Sequence, residues 1–223
     1  MFIGHFGAAL GASRAAPRVS LGILIAACQL PDLLWPIFLL AGVERVRIVQ
    51  GDNPFLHLVF EHYPWTHSLV MVLLWAVIAG LVYRLSRRNG RGAAIVATLV
   101  VSHWVLDWIT HVPDLPLYPG GPEYGLAVWR SVALTFAIEV PLFALGVWLY
   151  ASRTRGRDTT GRAGFWSLIA FMVVVFIASG WSPPPPDANA VAWASLAMWL
   201  FPLWAAWVDT HRDRIEIDEA VTS

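Results

Sequence analysis

Residues Gly92–His111 read GAAIVATLVVSHWVLDWITH, twenty positions with no arginine and a single carboxylate, Asp107. Twenty predominantly apolar residues in a helix cover the ~30 Å hydrocarbon core of a bilayer. The stretch therefore predicts a membrane-crossing helix, and five others qualify: Leu21–Gly42, Thr66–Leu85, Leu126–Ala151, Ala163–Trp181 and Asn189–Val208. The whole chain agrees. Of its 223 residues 57% are apolar and 13% charged, about half the ~25% charge of a soluble domain. Disordered chains, coiled coils and ordinary cytosolic enzymes are excluded. The expected fold is an all-α, polytopic helix bundle over residues 1–208, followed by a polar tail, 209–223.

The first span contains Pro31 and Pro36. Proline removes a helical hydrogen bond and clashes with the preceding turn, so this span is expected to bend or break. Met1–Ala12 is apolar but too short to cross, and with no basic n-region it does not read as a signal peptide. It is expected to lie in the interface or to dip into the bundle as a short re-entrant helix. All fifteen basic residues are arginine. Assigning loops alternately puts twelve on one side: Arg14, Arg18, Arg84, Arg87, Arg88, Arg91, Arg153, Arg155, Arg157, Arg162, Arg212 and Arg214. Three fall on the other: Arg45, Arg47 and Arg130. The positive-inside rule makes the arginine-rich side, with both termini, cytoplasmic. Fifteen acids balance the arginines, and a net charge of zero gives no reason to expect a nucleic-acid partner. The single cysteine, Cys28, excludes an internal disulfide and reads as a small packing residue. Many of the thirteen tryptophans fall near span ends, where interface anchoring accounts for them. No internal repeat of the transporter kind is visible.

The polar residues at membrane depth set the functional question, because an intramembrane charge costs at least ~2.5–3.5 kcal/mol and usually pairs or serves a function. His103, Asp107 and His111 recur every four residues, within about 80° of one helical face. Asp32 in the first span, His67 opening the second, Glu139 in the fourth and His5 in the N-terminal segment add matching groups. Counted from the arginine-rich ends, Asp32, His103 and Asp107 come at roughly 16–22 Å, with His67 and His111 nearer the other surface. Nitrogen and carboxylate ligands suit zinc and similar divalent ions, and a cation compensates Asp32 and Asp107 where water is scarce. Residues four apart lie ~6 Å apart along the axis and can share an ion, whereas His103 and His111 are ~12 Å apart. The stripe thus predicts two ions bridged by Asp107, or one ion with His111 nearby. His57, His62 and His211, in loops or the tail, read as structural or solvated groups.

Gly4-His5, Leu30-Pro31-Asp32, Thr66-His67-Ser68 and Ser102-His103-x-x-x-Asp107, in this order on apolar helices, resemble the bacterial inner-membrane metal-dependent hydrolases described as LexA-binding. The resemblance covers about residues 1–150. That family is similar to zinc-dependent phospholipase C and the fungal single-strand nucleases, all-helical phosphodiesterases with up to three zinc ions. By motif, Asp32, His67, His103 and Asp107 match the ligands of one zinc, with Asp107 bridging to a second. His5 matches the histidine that completes another site with the N-terminal residue, and His111 the histidine after His-x-x-x-Asp. Two features depart from the soluble enzymes. Four residues precede His5, and Thr135…Glu139 stands where those enzymes carry His-x-x-x-Glu or His-x-x-x-Asp. A centre of one or two ions is therefore expected rather than three. The LexA association is carried by none of these motifs.

The resulting expectation is a multi-pass protein of a bacterial inner membrane that hydrolyses a phosphoester, such as a phospholipid, with the bilayer as its surroundings. Asp32 or Glu139 would accept the proton of the attacking water, and Arg130 would either snorkel to the interface or steady a phosphate. Two other readings use the same residues: a transporter passing protons or metal ions through the His/Asp cluster, and a non-catalytic assembly protein whose polar groups pin helices together.

Overall fold

A computed structural model describes residues 1–215. Its helices in chain order begin with α1 (Ile3–Ala12), α2 (Leu21–Cys28) and α3 (Leu30–Leu40). A strand pair, β1 (Arg45–Ile48) and β2 (Leu58–His62), leads to α4 (Pro64–His67), α5 (Leu69–Arg87) and α6 (Gly90–Thr110). A second small pair, β3 (Leu115–Pro116) and β4 (Glu123–Tyr124), precedes α7 (Val132–Ala151). Then come β5 (Thr154–Gly156), α8 (Phe165–Ser179), α9 (Ala188–Leu196), α10 (Leu200–Asp209) and β6 (Arg212–Arg214). Among the described residues, five helical segments are long and apolar enough to cross a membrane, and α2 with α3 makes a sixth, bent by 58°. The protein is an all-α polytopic bundle with small antiparallel ribbons at its ends.

Local chemistry explains the element boundaries. Ser20, Ser68, Asn89, Ser131 and Asp187 are N-caps whose side-chain oxygens accept a backbone N–H from the first turn of α2, α5, α6, α7 and α9, satisfying donors a helix leaves orphaned. The first span breaks at Gln29 between α2 and α3. Pro31 then falls in the first turn of α3, where its missing N–H costs nothing, and it denies Ala27 the usual i→i−4 bond. The apolar faces point outward: Val70, Leu73, Leu74, Val77, Leu81, Val82 and Leu85 of α5 are all exposed, an arrangement suited to lipid and costly in water.

The N-terminal segment dips into the bundle. Helix α1 lies along α7 with its backbone in direct contact. A Cβ added at Gly146 would stand 2.1 Å from the Gly7 carbonyl oxygen, and one at Gly7 2.6 Å from that of Leu142. Small residues allow such close approach in membranes, where packing rather than water drives association. At its other face α1 meets α2 and α6, and α6 also packs on α5 and α2. The buried end of α1 thereby reaches the polar stripe of α6.

The segment between the first two expected spans, Val43–Trp65, holds the β1–β2 hairpin. Its register runs from Arg45↔His62 to Ile48↔Leu58. The reason is visible in Arg45-Val46-Arg47-Ile48, where alternating polar and β-branched residues fit one buried face of a strand pair. Phe60 of β2 packs against Trp35 and His111, with ring centroids 5.5 and 5.2 Å apart. The hairpin therefore covers the arginine-poor end of the polar cluster. At the opposite face the start of the tail is tied down. Strand β6 pairs with β5, and the Arg212 guanidinium donates to Thr154 and to the Gly161 carbonyl while lying 4.4 Å from the Phe165 ring centroid. The remainder of the polar tail, residues 216–223, lies outside the described residues.

Candidate metal centre

Asp107 stands at the middle of the cluster, and its two carboxylate oxygens face different partners. Oδ2 lies 2.9 Å from His103 Nε2, 3.9 Å from His67 Nε2 and 4.0 Å from His111 Nε2. Oδ1 lies 3.0 Å from His5 Nε2 and accepts from the Met1 amine. Asp32 Oδ1 closes the first group, 3.3 Å from His67 Nε2 and 3.8 Å from His103 Nε2. Two sets of three, His5/His103/Asp107 and Asp32/His67/His103, each offer ligand atoms lying within 4.8 Å of one another. A tetrahedral ion with bonds of ~2.1 Å requires ligand atoms about 3.4 Å apart, and the separations of 2.9 to 3.9 Å among Asp32, His67, His103 and Asp107 bracket that value.

The imidazoles are oriented for ligation by what their other nitrogens do. His103 Nδ1 donates to the Cys28 carbonyl at 2.8 Å, at the break between α2 and α3. Thr66 Oγ1 donates to Glu44 Oε2 at 2.8 Å, so it accepts from His67 Nδ1 at 2.7 Å. His111 Nδ1 donates to Asp114 Oδ1 at 3.0 Å, and Tyr63 O–H donates to the same oxygen at 3.2 Å. With Nδ1 protonated in each, Nε2 presents a lone pair inward, the arrangement that outer partners impose on metal-binding histidines. His103 Nε2 is buried and, despite its proximity to Asp107, makes no hydrogen bond among the described residues; His5 Nδ1 is likewise unpartnered. The orphaned His103 nitrogen beside the buried Asp107 carboxylate is what a cation would satisfy. The residues present fit a divalent ion. Because His103 Nδ1 is taken up by Cys28, its Nε2 serves one ion, and a second would use His5 with Asp107 Oδ1.

Access is uneven. The Asp32 side chain is 24% exposed, against 4% or less for His5, His67, His103, Asp107 and His111, so solvent meets the cluster at Asp32. Outside the membrane spans, burial raises the Glu44 carboxyl, opposed by His67 and Thr66. Burial, with Asp114 next, raises the Tyr63 phenol and keeps it a donor.

The other expected site residues are placed differently. Glu139 Oε2 accepts from the N–H groups of Phe2 and Gly4 at 2.7 and 3.2 Å, so it caps the buried end of α1 and holds His5 in place, while its Oε1 is buried without a partner among the described residues. Arg130 is exposed on the 3-10 turn Val128–Arg130, next to Trp129, whose ring lies 4.2 Å from that of His111. Glu44, Thr66, Tyr63 and Asp114 emerge only from the structure, though His111-x-x-Asp114 and adjacent Thr66-His67 are readable spacings. The four residues preceding His5, a departure from the soluble enzymes, nonetheless bring the Met1 amine to Asp107. His57, read as structural, contacts the Gly51 carbonyl at 3.0 Å.

Comparison with known proteins agrees with this architecture. A family model described as YdjM inner membrane protein matches residues 1–183. The chain belongs to the YdjM inner membrane protein family. That match extends beyond the ligand-bearing helices through α8, so the YdjM family unit includes the fifth span as well as the cluster. No curated protein and no solved structure matches the chain. Membership in the YdjM family and the apolar helices together make this a multi-pass inner-membrane protein.

Proposed function

We propose that the protein is a membrane-embedded, metal-dependent hydrolase of phosphoesters, with a phospholipid of the surrounding bilayer as the substrate class. The observation that carries the reading is the Asp107 carboxylate, whose oxygens face two groups of imidazoles at ligand spacing. Asp32, His67, His103 and Asp107 would hold one zinc-like ion with His111 at its edge, and His5 with Asp107 Oδ1 would form a second position. When bound, a divalent ion supplies Lewis acidity to a phosphoryl oxygen and acidifies water. Asp32, the ligand that solvent reaches, orients water at the mouth and accepts its proton. Glu139 positions His5 through α1, with Oε1 a second proton acceptor, and Arg130 steadies the phosphate at the arginine-poor surface. The resemblance of the His5, Asp32, His67 and Asp107 motifs to hydrolases supports the same reading.

The twelve-to-three arginine split supports cytoplasmic termini, with residues 1–208 acting as one unit, 209–223 as its tail, and the cluster in the outer half of the membrane. A lipid headgroup would then enter sideways at Asp32. Elemental analysis of the detergent-purified chain is expected to find one or two zinc-like ions per chain, lost in His103→Ala/Asp107→Ala. The loaded protein is expected to cleave a phospholipid or a generic phosphodiester. A folded parent that takes up no metal on reloading defeats the reading. So does metal without turnover across such a panel. Ion flux into liposomes, abolished by Asp107→Asn, would replace it with a transporter.

A further inference from the structure

At the arginine-rich face, away from the metal centre, two cavities join. One, of about 560 Å³, is polar and rimmed by Arg18, Arg87, Arg88 and Asn89. The other, of about 410 Å³, is an apolar cleft between α2 and α5 with Ala26, Leu30, Ala79 and Val82 in its walls. They share Ile23, Tyr83 and Arg87. A cationic mouth thus continues into a groove that opens sideways at hydrocarbon depth. Among the described residues the arginine–carboxylate pairs involve Arg47, Arg157 and Arg214; none involves Arg18, Arg87 or Arg88. Asp209, a carboxylate beside the start of α2, is engaged by Tyr150 and by the Leu21 N–H. The backbone at this mouth is also unusual. Arg88 ends α5 in the left-handed region, at φ 51° and ψ 28°, a position that glycine or asparagine normally takes. A bulky cation there turns the chain toward Asn89 and keeps its charge at the rim.

We propose that this joined cavity binds one anionic phospholipid of the bordering leaflet, its phosphate among Arg18, Arg87 and Arg88 and an acyl chain in the α2/α5 cleft. The charge complementarity requires an anion. The apolar continuation selects a lipid over free phosphate, because only a molecule with both parts fills both cavities. Basic pockets between membrane helices recognise anionic headgroups in this way, and the two volumes fall within the roughly 300–1,000 Å³ of small-molecule sites. Glu139, the metal ligands and Arg130 take no part in it.

The test is thermal unfolding of the delipidated full-length chain in neutral detergent, titrated separately with phosphatidylglycerol, phosphatidylcholine and inorganic phosphate. Phosphatidylglycerol is expected to raise the Tm by about 5–10 °C near saturation, with phosphatidylcholine and phosphate giving little. Arg87→Ser/Arg88→Gly should abolish the rise, and Ala26→Phe, which fills the cleft without changing charge, should reduce it severalfold. If the double variant does not fold, Arg88→Gly alone, which relieves the left-handed backbone, should still unfold at or above the parent's unliganded Tm and lose much of the phosphatidylglycerol response. An equal rise from inorganic phosphate would overturn the lipid assignment. Equal rises from the two lipids, or a parent-like response in the arginine variants, would overturn the site.

Discussion

The two ends of α6 handle charge in opposite ways. Near Gly90 the arginines of α5 and of the neighbouring loops are exposed, and water and headgroups solvate them at no structural cost. Towards Thr110, His103, Asp107 and His111 are buried, and each is held by a further polar group: the Cys28 carbonyl, the Met1 amine and Asp114 respectively. A charge on the surface can be exchanged, whereas a buried one depends on every group around it. The buried end is therefore where substitutions should do the most damage.

Asp107→Ala tests that contrast most severely. It takes the central anion from four imidazoles and an amine, and breaking a buried charge network by one partner costs about 3–5 kcal/mol. Denaturation in detergent should show a loss of this size, with bound metal lost as well. A variant as stable as the parent would mean that Asp107 is not the hub. Gly146→Ala comes next. Its Cβ would meet the Gly7 backbone, which cannot rotate away, so α1 must shift at a cost of about 1–3 kcal/mol. Because α1 carries His5, metal stoichiometry should fall towards one ion per chain before the bundle unfolds.

The sequence makes the apolar spans, the break in the first of them and the ligand stripe legible, because each rests on local spacing: the run Gly92–His111, the prolines at 31 and 36, the four-residue repeat of His103, Asp107 and His111. What it hides depends on distant contacts. Nothing local says that Glu139 caps α1 rather than facing the stripe, since that follows from Gly7 and Gly146 bringing two backbones together. The hairpin over His111 is hidden for another reason: within a membrane protein, Arg45–Ile48 and Leu58–His62 read as an interrupted polar loop, although their alternation is that of strands.

Thr66→Val sharpens the comparison without removing a ligand. It cuts the Glu44–Thr66–His67 chain, so His67 loses the acceptor that fixes its tautomer and Glu44 loses a donor. Loss of such an outer partner typically weakens metal affinity about 10–100-fold. Competition with a chelator of known affinity should show that range. A change below about threefold would mean that His67 is oriented by packing against Tyr63 alone.

At the exposed end the effects should be small, and Asp158 measures how small. Its carboxylate accepts from the Gly161 N–H at 2.8 Å and lies 2.7 Å from His211 Nδ1. The Gly161 hydrogen bond, with His211 next, holds its pKa below the usual carboxylate value. A depressed folded-state pKa stabilises the folded chain above the unfolded-state value, and that contribution fades as the pH falls through the folded one. Solvent screens a pair this open. Asp158→Asn should therefore lower the Tm only slightly at pH 7, and that difference should shrink as the pH falls through the depressed folded-state pKa. A large loss at pH 7 would show that the β5–β6 ribbon, with Arg212 on the Phe165 ring, clamps the fold as firmly as the cluster around Asp107 does. The contrast between the two ends of α6 would then be one of burial alone, without a difference in how much each charge matters to the fold.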